Sequence, residues 1–465
     1  MTLAELELDK LAVDVLRQRR RDRIVRQMGA ALCAAVALAV CAGAGAARLA
    51  AGTLDTSFGH HGVVQTTTDG FTGLALQPSG KIVAISDVAL TRYDANGLLD
   101  KSFGRAGQVK LPMASSLDPP FVIEADGKIV VAGNRSKNLA VMRYTAGGVL
   151  DTSFGRGGQV ETAITGNDFP VVLATEPNGM LVVVGWASKN CPASSKSQHC
   201  VLNDFVLTRY RANGALDTSF GKGGTVVTPM GRSYGDVTEP HALVIEPDGK
   251  IVVAAGGGAA PGFELVRYNP DGSLDASFGS GGIVSTVVGP FLESIPYALV
   301  LQPDGKLVAA GQSPRNCPDT DAVTCSMGEF GLARYNTDGS LDTSFGDGGI
   351  VTTRIHGDDG AQALVLQPDG KLIAAGSGDV PAYHSDPLAN ERNFAVVRYT
   401  ADGSLDKTFG KSGIVTMGFK MKYAEAAALV RRRDGELVVG GYDELPGKNG
   451  SGPLVGAAVL VGLNG

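Results

Sequence analysis

The phrase L-D-x-[ST]-F-G occurs seven times in this chain, with its aspartate at Asp55, Asp100, Asp151, Asp217, Asp275, Asp342 and Asp406. Nothing else in the sequence constrains the fold as strongly. The intervals between copies run from 45 to 67 residues, and a catalytic site has no reason to be written seven times. A structural corner does. In such a corner the aspartate can accept backbone N–H bonds, the glycine can take a positive φ, and the phenylalanine can fill the gap between neighbouring units.

Each copy is followed by three landmarks in fixed order: a "GGxV" phrase, an apolar run interrupted by a turn, and a run ending in Arg-Tyr. Residues 281 to 284 (GGIV), 298 to 311 (ALVLQPDGKLVAAG) and 263 to 268 (FELVRY) are examples. Asp-Gly or Asn-Gly between two apolar runs is a strong hairpin signal, because both residues tolerate positive φ. It recurs at Asp126-Gly127, Asn178-Gly179, Asp248-Gly249, Asp304-Gly305, Asp369-Gly370 and Asp434-Gly435, with Ser79-Gly80 in the first unit. One unit therefore reads as four short strands. The strand "KIVVAAG" is apolar throughout, as expected of a strand covered on both faces, whereas "FVLTRY" alternates, as expected of one that meets a core on one side only.

Repeats of this size with four strands each point to an all-β fold, a seven-bladed β-propeller of four-stranded blades, since one blade cannot bury its faces alone. The chain stops at "AAVLVGLNG", where an Arg-Tyr strand should end, and its first unit starts at the turn that ought to follow such a strand. Head and tail are thus complementary, as a closed ring requires. The 64 glycines among 465 residues belong to a turn-rich folded chain, because 44% of the residues are hydrophobic and spread throughout.

The first 48 residues are a different text. Residues 1–27 are polar and helix-prone with a basic cluster from Arg17 to Arg26, and read as a cytoplasmic segment. From Met28 to Ala47 come 20 residues without a charge, about 30 Å as a helix, the thickness of a bilayer core. Positive charge before the run places the amino end inside and the rest outside. Residues 28–48 are therefore expected to be a signal peptide, cleaved near "AGAGAA", or a transmembrane anchor helix. Residues 49–465 form the propeller, secreted, periplasmic or anchored to the inner membrane. The net charge is −6 and the leader is cationic, so the ring is acidic and offers no basic surface for nucleic acid.

The phrases "RYNTDGSLDTSFGDGGIVTT" (334–353) and "LVLQPDGKLIAAG" (364–376) resemble the delta-60 repeat family of bacterial proteins. That pattern covers about nine-tenths of the chain. The resemblance implies a propeller, often in exported or surface proteins, and no established activity. The last unit departs from the pattern: Gly462-Leu463 replaces Arg-Tyr, and "RRRDGELVVGG" (431–441) lacks Gln-Pro.

A residue present in every copy serves the copy, so function is sought in what is not repeated. The two Asp-Gly turns of each unit fall on one face of the ring, and the loops after "GGxV" and "VVAG" on the other. Long loops follow Gly185, Gly311, Gly376 and Gly441, which makes this second face the candidate binding surface for a protein or glycan at the cell envelope. Two of those loops carry Cys191 with Cys200 and Cys317 with Cys325, expected as disulfides in an exported protein. A zinc site using His199 lacks the usual ligand spacing. "NPDGSLD" offers Asn269, Asp271 and Asp275 as calcium oxygens, but Asx-turn chemistry explains the same letters. No cofactor is expected beyond that calcium option. The six histidines stand in no recognised catalytic motif, and "GGGAAPG" (256–262) and "HGDDG" (356–360) read as loops. The expectation is a monomeric, non-enzymatic binding module; the alternative is an extracytoplasmic hydrolase or lyase acting on a sugar or lactone.

Overall fold

Repeated hairpin chemistry followed by a repeated corner should produce a ring of like sheets, and the computed structural model has that form. It describes residues 50–465 except 67–69, 114–118, 165–167, 191–200, 231–237, 258–261, 291–293, 315–327, 356–358, 381–390, 420–422 and 446–454. The expected leader helix over 28–48 and all four cysteines of the candidate disulfides lie outside the described residues. Among the described residues no helix is long and apolar enough to cross a membrane.

Twenty-eight strands form seven antiparallel four-stranded blades. Blades 1 to 6 have their strands within 73–110, 121–162, 168–229, 239–286, 295–353 and 360–417, and blade 7 takes three strands from 423–463. In blade 4 the strands run outward in chain order as Glu239–Ile245, Ile251–Gly256, Phe263–Tyr268 and Ile283–Thr286. The outer strand of blade 7 comes from the other end of the chain: Val63–Thr66 pairs antiparallel with Val455–Leu463, Val63 opposite Val461 and Thr66 opposite Ala458. Gly52 N–H also donates to the Asn464 carbonyl at 2.7 Å, and Asn464 N–H to the Thr53 carbonyl at 2.9 Å. The seam is therefore an ordinary blade made from both ends of the ring.

The sequence repeat and the blade are out of step by one strand. Each "GGxV" strand pairs with the Arg-Tyr strand of the preceding unit, as Ile283 does with Val266. The out-of-step repeat is what lets Val63–Thr66 close the ring.

Apolar side chains from adjacent blades share common clusters: Val300, Phe330 and Phe345 of blade 5 pack with Leu364, Val397 and Tyr399 of blade 6. Second strands are buried throughout, as in Ile251–Gly256. The third strands depart from expectation. Phe263–Tyr268 is buried at every position despite its alternating letters, because its polar side chains have partners: Arg267 meets the next blade's turn at Thr337 and its own corner at Asp275, and Glu264 accepts from the Ser285 hydroxyl of the outer strand. Alternation there marks buried, paired polar groups, not a solvent-facing side.

Candidate functional site

The seven repeated aspartates sit at the corners and are all buried. In blade 4, Asp275 Oδ1 accepts the Ser277 N–H at 3.0 Å and the Ser277 hydroxyl at 2.6 Å, while Oδ2 accepts from Arg267 Nε at 2.8 Å. The guanidinium lies 4.3 Å over the Phe278 ring and donates through Nη1 to the Thr337 carbonyl, in the turn of blade 5, at 2.6 Å. Lys250 stands 3.4 Å from Asp275. Burial pushes the Asp275 carboxyl up, but Ser277, Arg267 and Lys250 outweigh it and hold it down at about 2.

The same staple recurs at Arg92–Asp100, Arg143–Asp151, Arg209–Asp217, Arg334–Asp342 and Arg398–Asp406, each arginine stacked on its phenylalanine at 4.5 to 4.8 Å. Blade 7 differs. Gly462 replaces the arginine, and Asp55 keeps only the Ser57 cap. The buried arginine-strand tyrosines bind neighbours too: Tyr268 OH donates to Thr228 Oγ1 of blade 3 at 2.9 Å, and Tyr399 OH to Thr353 Oγ1 of blade 5 at 2.9 Å. The repeated polar chemistry is thus spent joining blades. The oxygens of the calcium option are similarly engaged: Asp271 Oδ1 accepts from the Ser273 N–H and hydroxyl, and Asp275 belongs to Arg267.

The other face has a different chemistry. The inner strands of blades 3 to 7 each shift register at one place, between Pro170 and Val172, Pro240 and Ala242, Pro296 and Ala298, Ala361 and Ala363, and Ala426 and Ala428. A bulge leaves one residue out of the ladder and re-aims its side chain. Those residues are Val171, His241, Tyr297, Gln362 and Ala427, half-buried where the residues around them pack between blades. Both faces of an inner strand abut other blades, so the displaced side chain is left to the central opening. His241 and Tyr297, on adjacent blades, meet edge to face at 5.2 Å. Burial pushes His241 down to about 4 against a hydrogen bond to the Gly256 backbone, so the imidazole is neutral at pH 7. Burial also raises Glu239, two residues upstream.

Two further groups stand at the start of inner strands on this face. Phe169 and Trp186 of blade 3 stack at 4.3 Å, beside an apolar crevice lined by Leu139, Ile164 and Val183. In blade 7, Glu425 accepts from Tyr442 OH at 2.8 Å and lies 3.7 Å from Arg392 of blade 6. Next to it Asp443 is fully buried, neither carboxylate oxygen has a hydrogen-bond partner, and burial pushes its carboxyl up to about 6. The hairpins after Gly185, Gly311, Gly376 and Gly441 continue as strands past this rim, to Asn190, Pro314, Val380 and Leu445.

Such a mouth offers a stacking surface, a neutral imidazole, an amide and carboxylates, which suits recognition of a polar ligand with apolar faces. Among the described residues no group of three His, Cys, Asp or Glu could hold a metal ion. Sequence reading passed over His241 and Tyr297. Their signal lay in the repeats: within "HALV", "YALV" and "QALV" the first letter is the one position that changes class while its neighbours stay apolar.

Fold and corner together define a β-propeller repeat protein, a ring of one recurring unit joined by arginine–aspartate staples. Residues 124–154, 246–278, 327–345 and 367–409 match the family model described as "Domain of unknown function (DUF5122) beta-propeller". All four stretches end on a corner phenylalanine, and three begin on the Gln or Glu of the hairpin turn, so the match captures the staple and none of the bulge positions. No curated protein matches the sequence. Among solved structures, the chain is similar to a protein from Lactobacillus plantarum at 14% identity (TM-score 0.44), covering 84% of this chain and 94% of that one. It is similar to a gluconolactonase from Xanthomonas campestris at 12% identity, TM-score 0.35, with 70% and 91% covered. A third is the PQQ-bound aldose sugar dehydrogenase from Streptomyces coelicolor, at 14% identity, TM-score 0.35, with 73% and 94% covered.

Proposed function

We propose that the protein is an extracytoplasmic binding module, exported or anchored through residues 28–48, that holds a protein or glycan on the variable-loop face at the mouth of the channel. One observation carries the reading: half-exposed aromatic and polar side chains that are not repeated gather at the entrance of the inner strands on one face. Phe169, Trp186, His241, Tyr297, Gln362 and Glu425 are of this kind. The opposite face spends its repeated polar groups on joining blades. A half-buried aromatic pair such as Phe169–Trp186 gives a rigid, amphipathic contact surface at low entropic cost.

The test is calorimetric titration of the purified protein with soluble envelope oligosaccharides and envelope proteins, repeated with Trp186→Ala and Tyr297→Ala. Expected is a ligand whose affinity falls about tenfold or more in each variant. Affinity unchanged in both removes this face as the site. The enzymatic alternative has one residue in place for it, the neutral imidazole of His241; turnover of a sugar or lactone that is lost in His241→Ala decides for a hydrolase or lyase.

A further inference from the structure

The corner face carries features that neither the repeat nor the opposite face explains. Six of the nine exposed large hydrophobic side chains among the described residues lie there: Leu54, Leu99, Leu150 and Leu274, which are the leucine of the repeated corner phrase, and Leu98 and Val149, which the repeat does not supply. Most exposed in blades 1 and 2 are Leu98, at 56%, and Val149, at 66%. At the equivalent place blades 4 to 6 have Ser273, Ser340 and Ser404, and the Ser273 and Ser340 hydroxyls are bound by the turn aspartates at 2.7 Å. The fold therefore has a polar solution for this position, and blades 1 and 2 do not use it.

Charge is polarised the same way. The corners of blades 1 to 3 expose Lys101, Arg105, Arg156, Arg211 and Lys222, whereas those of blades 4 and 5 carry Asp271, Asp338 and Asp347 and no lysine or arginine. The corner of blade 6 again exposes Lys407 and Lys411 beside Asp402, so exposed basic groups are missing from the corners of blades 4 and 5 alone among blades 1 to 6, and in blades 1 and 2 they share the corner with the protruding aliphatic side chains.

The chain also enters the ring on this face. Ala51 accepts the Gly410 N–H at 3.0 Å at the corner of blade 6, and Gly52 is tied to Asn464. Only Arg48 and Leu49 separate Ala50 from the uncharged run that ends at Ala47. Three Cα steps span at most about 11 Å, while the headgroup layer of one leaflet is roughly 5–8 Å thick. A run of residues 28–47 lodged in a bilayer therefore holds the corner of blade 6, where the chain enters, within a few Å of the headgroup layer.

We infer that the corner face of blades 1 to 3 is a docking surface for an anionic phospholipid membrane, with Leu98 and Val149 entering the interface and the basic corner residues facing lipid phosphate. Exposed aliphatic side chains together with lysine and arginine on the same face are the combination that binds such a surface. The ligand face is then held pointing away from the membrane. This inference rests on the exported reading above, which an alkaline phosphatase fusion after Gly465 tests separately.

Because every strand of the ring lies within 63–463, docking is measured on residues 49–465, where the leader cannot act as the anchor. The readout is co-sedimentation with vesicles of phosphatidylcholine, with and without phosphatidylglycerol. Expected is binding only to the phosphatidylglycerol vesicles. Leu98→Ser with Val149→Ser lowers that affinity about tenfold, and Arg156→Ser with Lys222→Ser about tenfold at low salt, a difference that high salt erases. Serine already occupies these places in blade 4, at Ser273 and Ser280, so the variants fold. Trp186→Ala, on the opposite face, leaves vesicle binding unchanged even where it abolishes ligand binding, which separates the two readings. Absence of binding by the unmodified ring, equal binding to both vesicle types, or loss through Trp186→Ala instead of the corner variants overturns the inference.

Discussion

Replacing Arg267 by methionine removes the centre of one staple without creating a large void, and the structure sets the cost. The arginine is 4% exposed, pairs with Asp275 at 2.8 Å and Glu246 at 3.5 Å, and donates to the Thr337 carbonyl of the next blade. Breaking a buried pair from one side costs about 3–5 kcal/mol, because the remaining charge is left in a poor solvent. Lys250 stays within 3.4 Å of Asp275, and the corner lies close to water, which screens what is left. We therefore expect about 3 kcal/mol at pH 7. The sign of the pH dependence follows from the carboxylates. Asp275 is held at about 2 in the folded protein against its ordinary 3.8, so it contributes stability above about pH 4 that is lost as pH falls through 2. Without Arg267 part of that depression is lost while the Ser277 hydrogen bonds and Lys250 remain, so Asp275 takes up its proton at a higher pH than in the unmodified protein. The difference between the two proteins should then shrink towards pH 3. Urea denaturation followed by tryptophan fluorescence and circular dichroism at pH 7 and pH 3 reads both numbers. A cost below about 1 kcal/mol at pH 7, or one that stays the same at pH 3, refutes the view that the staple joins the blades electrostatically.

Other outcomes follow from the same geometry. Asp443→Asn should stabilise the protein at pH 7 by about 2 kcal/mol, because the folded state holds a carboxyl raised to about 6 and must ionise it without a partner. That gain fades as pH falls from 6 to 4, which denaturation at the two pH values measures. Gly462→Arg, which restores the repeat's own residue in blade 7, should destabilise by roughly 1–3 kcal/mol, since a Cβ there would stand 2.6 Å from Phe58 Cβ; a rise in Tm would contradict this. Asp55→Asn should cost less than Asp275→Asn, because Asp55 has no arginine to lose. A Gln65→Pro exchange breaks the seam opposite Val459 and should lower Tm and broaden the transition, as one blade loses its closing strand.

Particular residues show where sequence reading succeeded and where it stopped. Asp275, Phe278 and Gly279 were legible as a corner, and each plays the expected part there, as a turn cap, a buried plug and a backbone at φ of +53°. Arg267 was visible only as part of a phrase. That it reaches across to Thr337, 70 positions away, could not be read from spacing, because contact between blades depends on how the sheets stack. The alternation in "FELVRY" misled for a related reason: a polar letter looks solvent-facing until its partner is known to come from the neighbouring unit. His241 and Tyr297 escaped notice because a bulge is a tertiary event, in which a strand with one residue too many for its partner must turn a side chain out of the sheet.

What the sequence determined by itself was everything written locally and repeatedly. It set the number of blades, the strands in each, the hairpins and corners, and the fit of head to tail, because turn chemistry acts over a few residues and seven copies reinforce one reading. Only the tertiary structure decided which strands share a blade, which polar groups staple neighbours, which side chains face the channel, and which aliphatic and basic residues remain outside. Those outcomes depend on surfaces brought together from units dozens to hundreds of residues apart, and exposure to water is a property of the closed ring rather than of any single repeat.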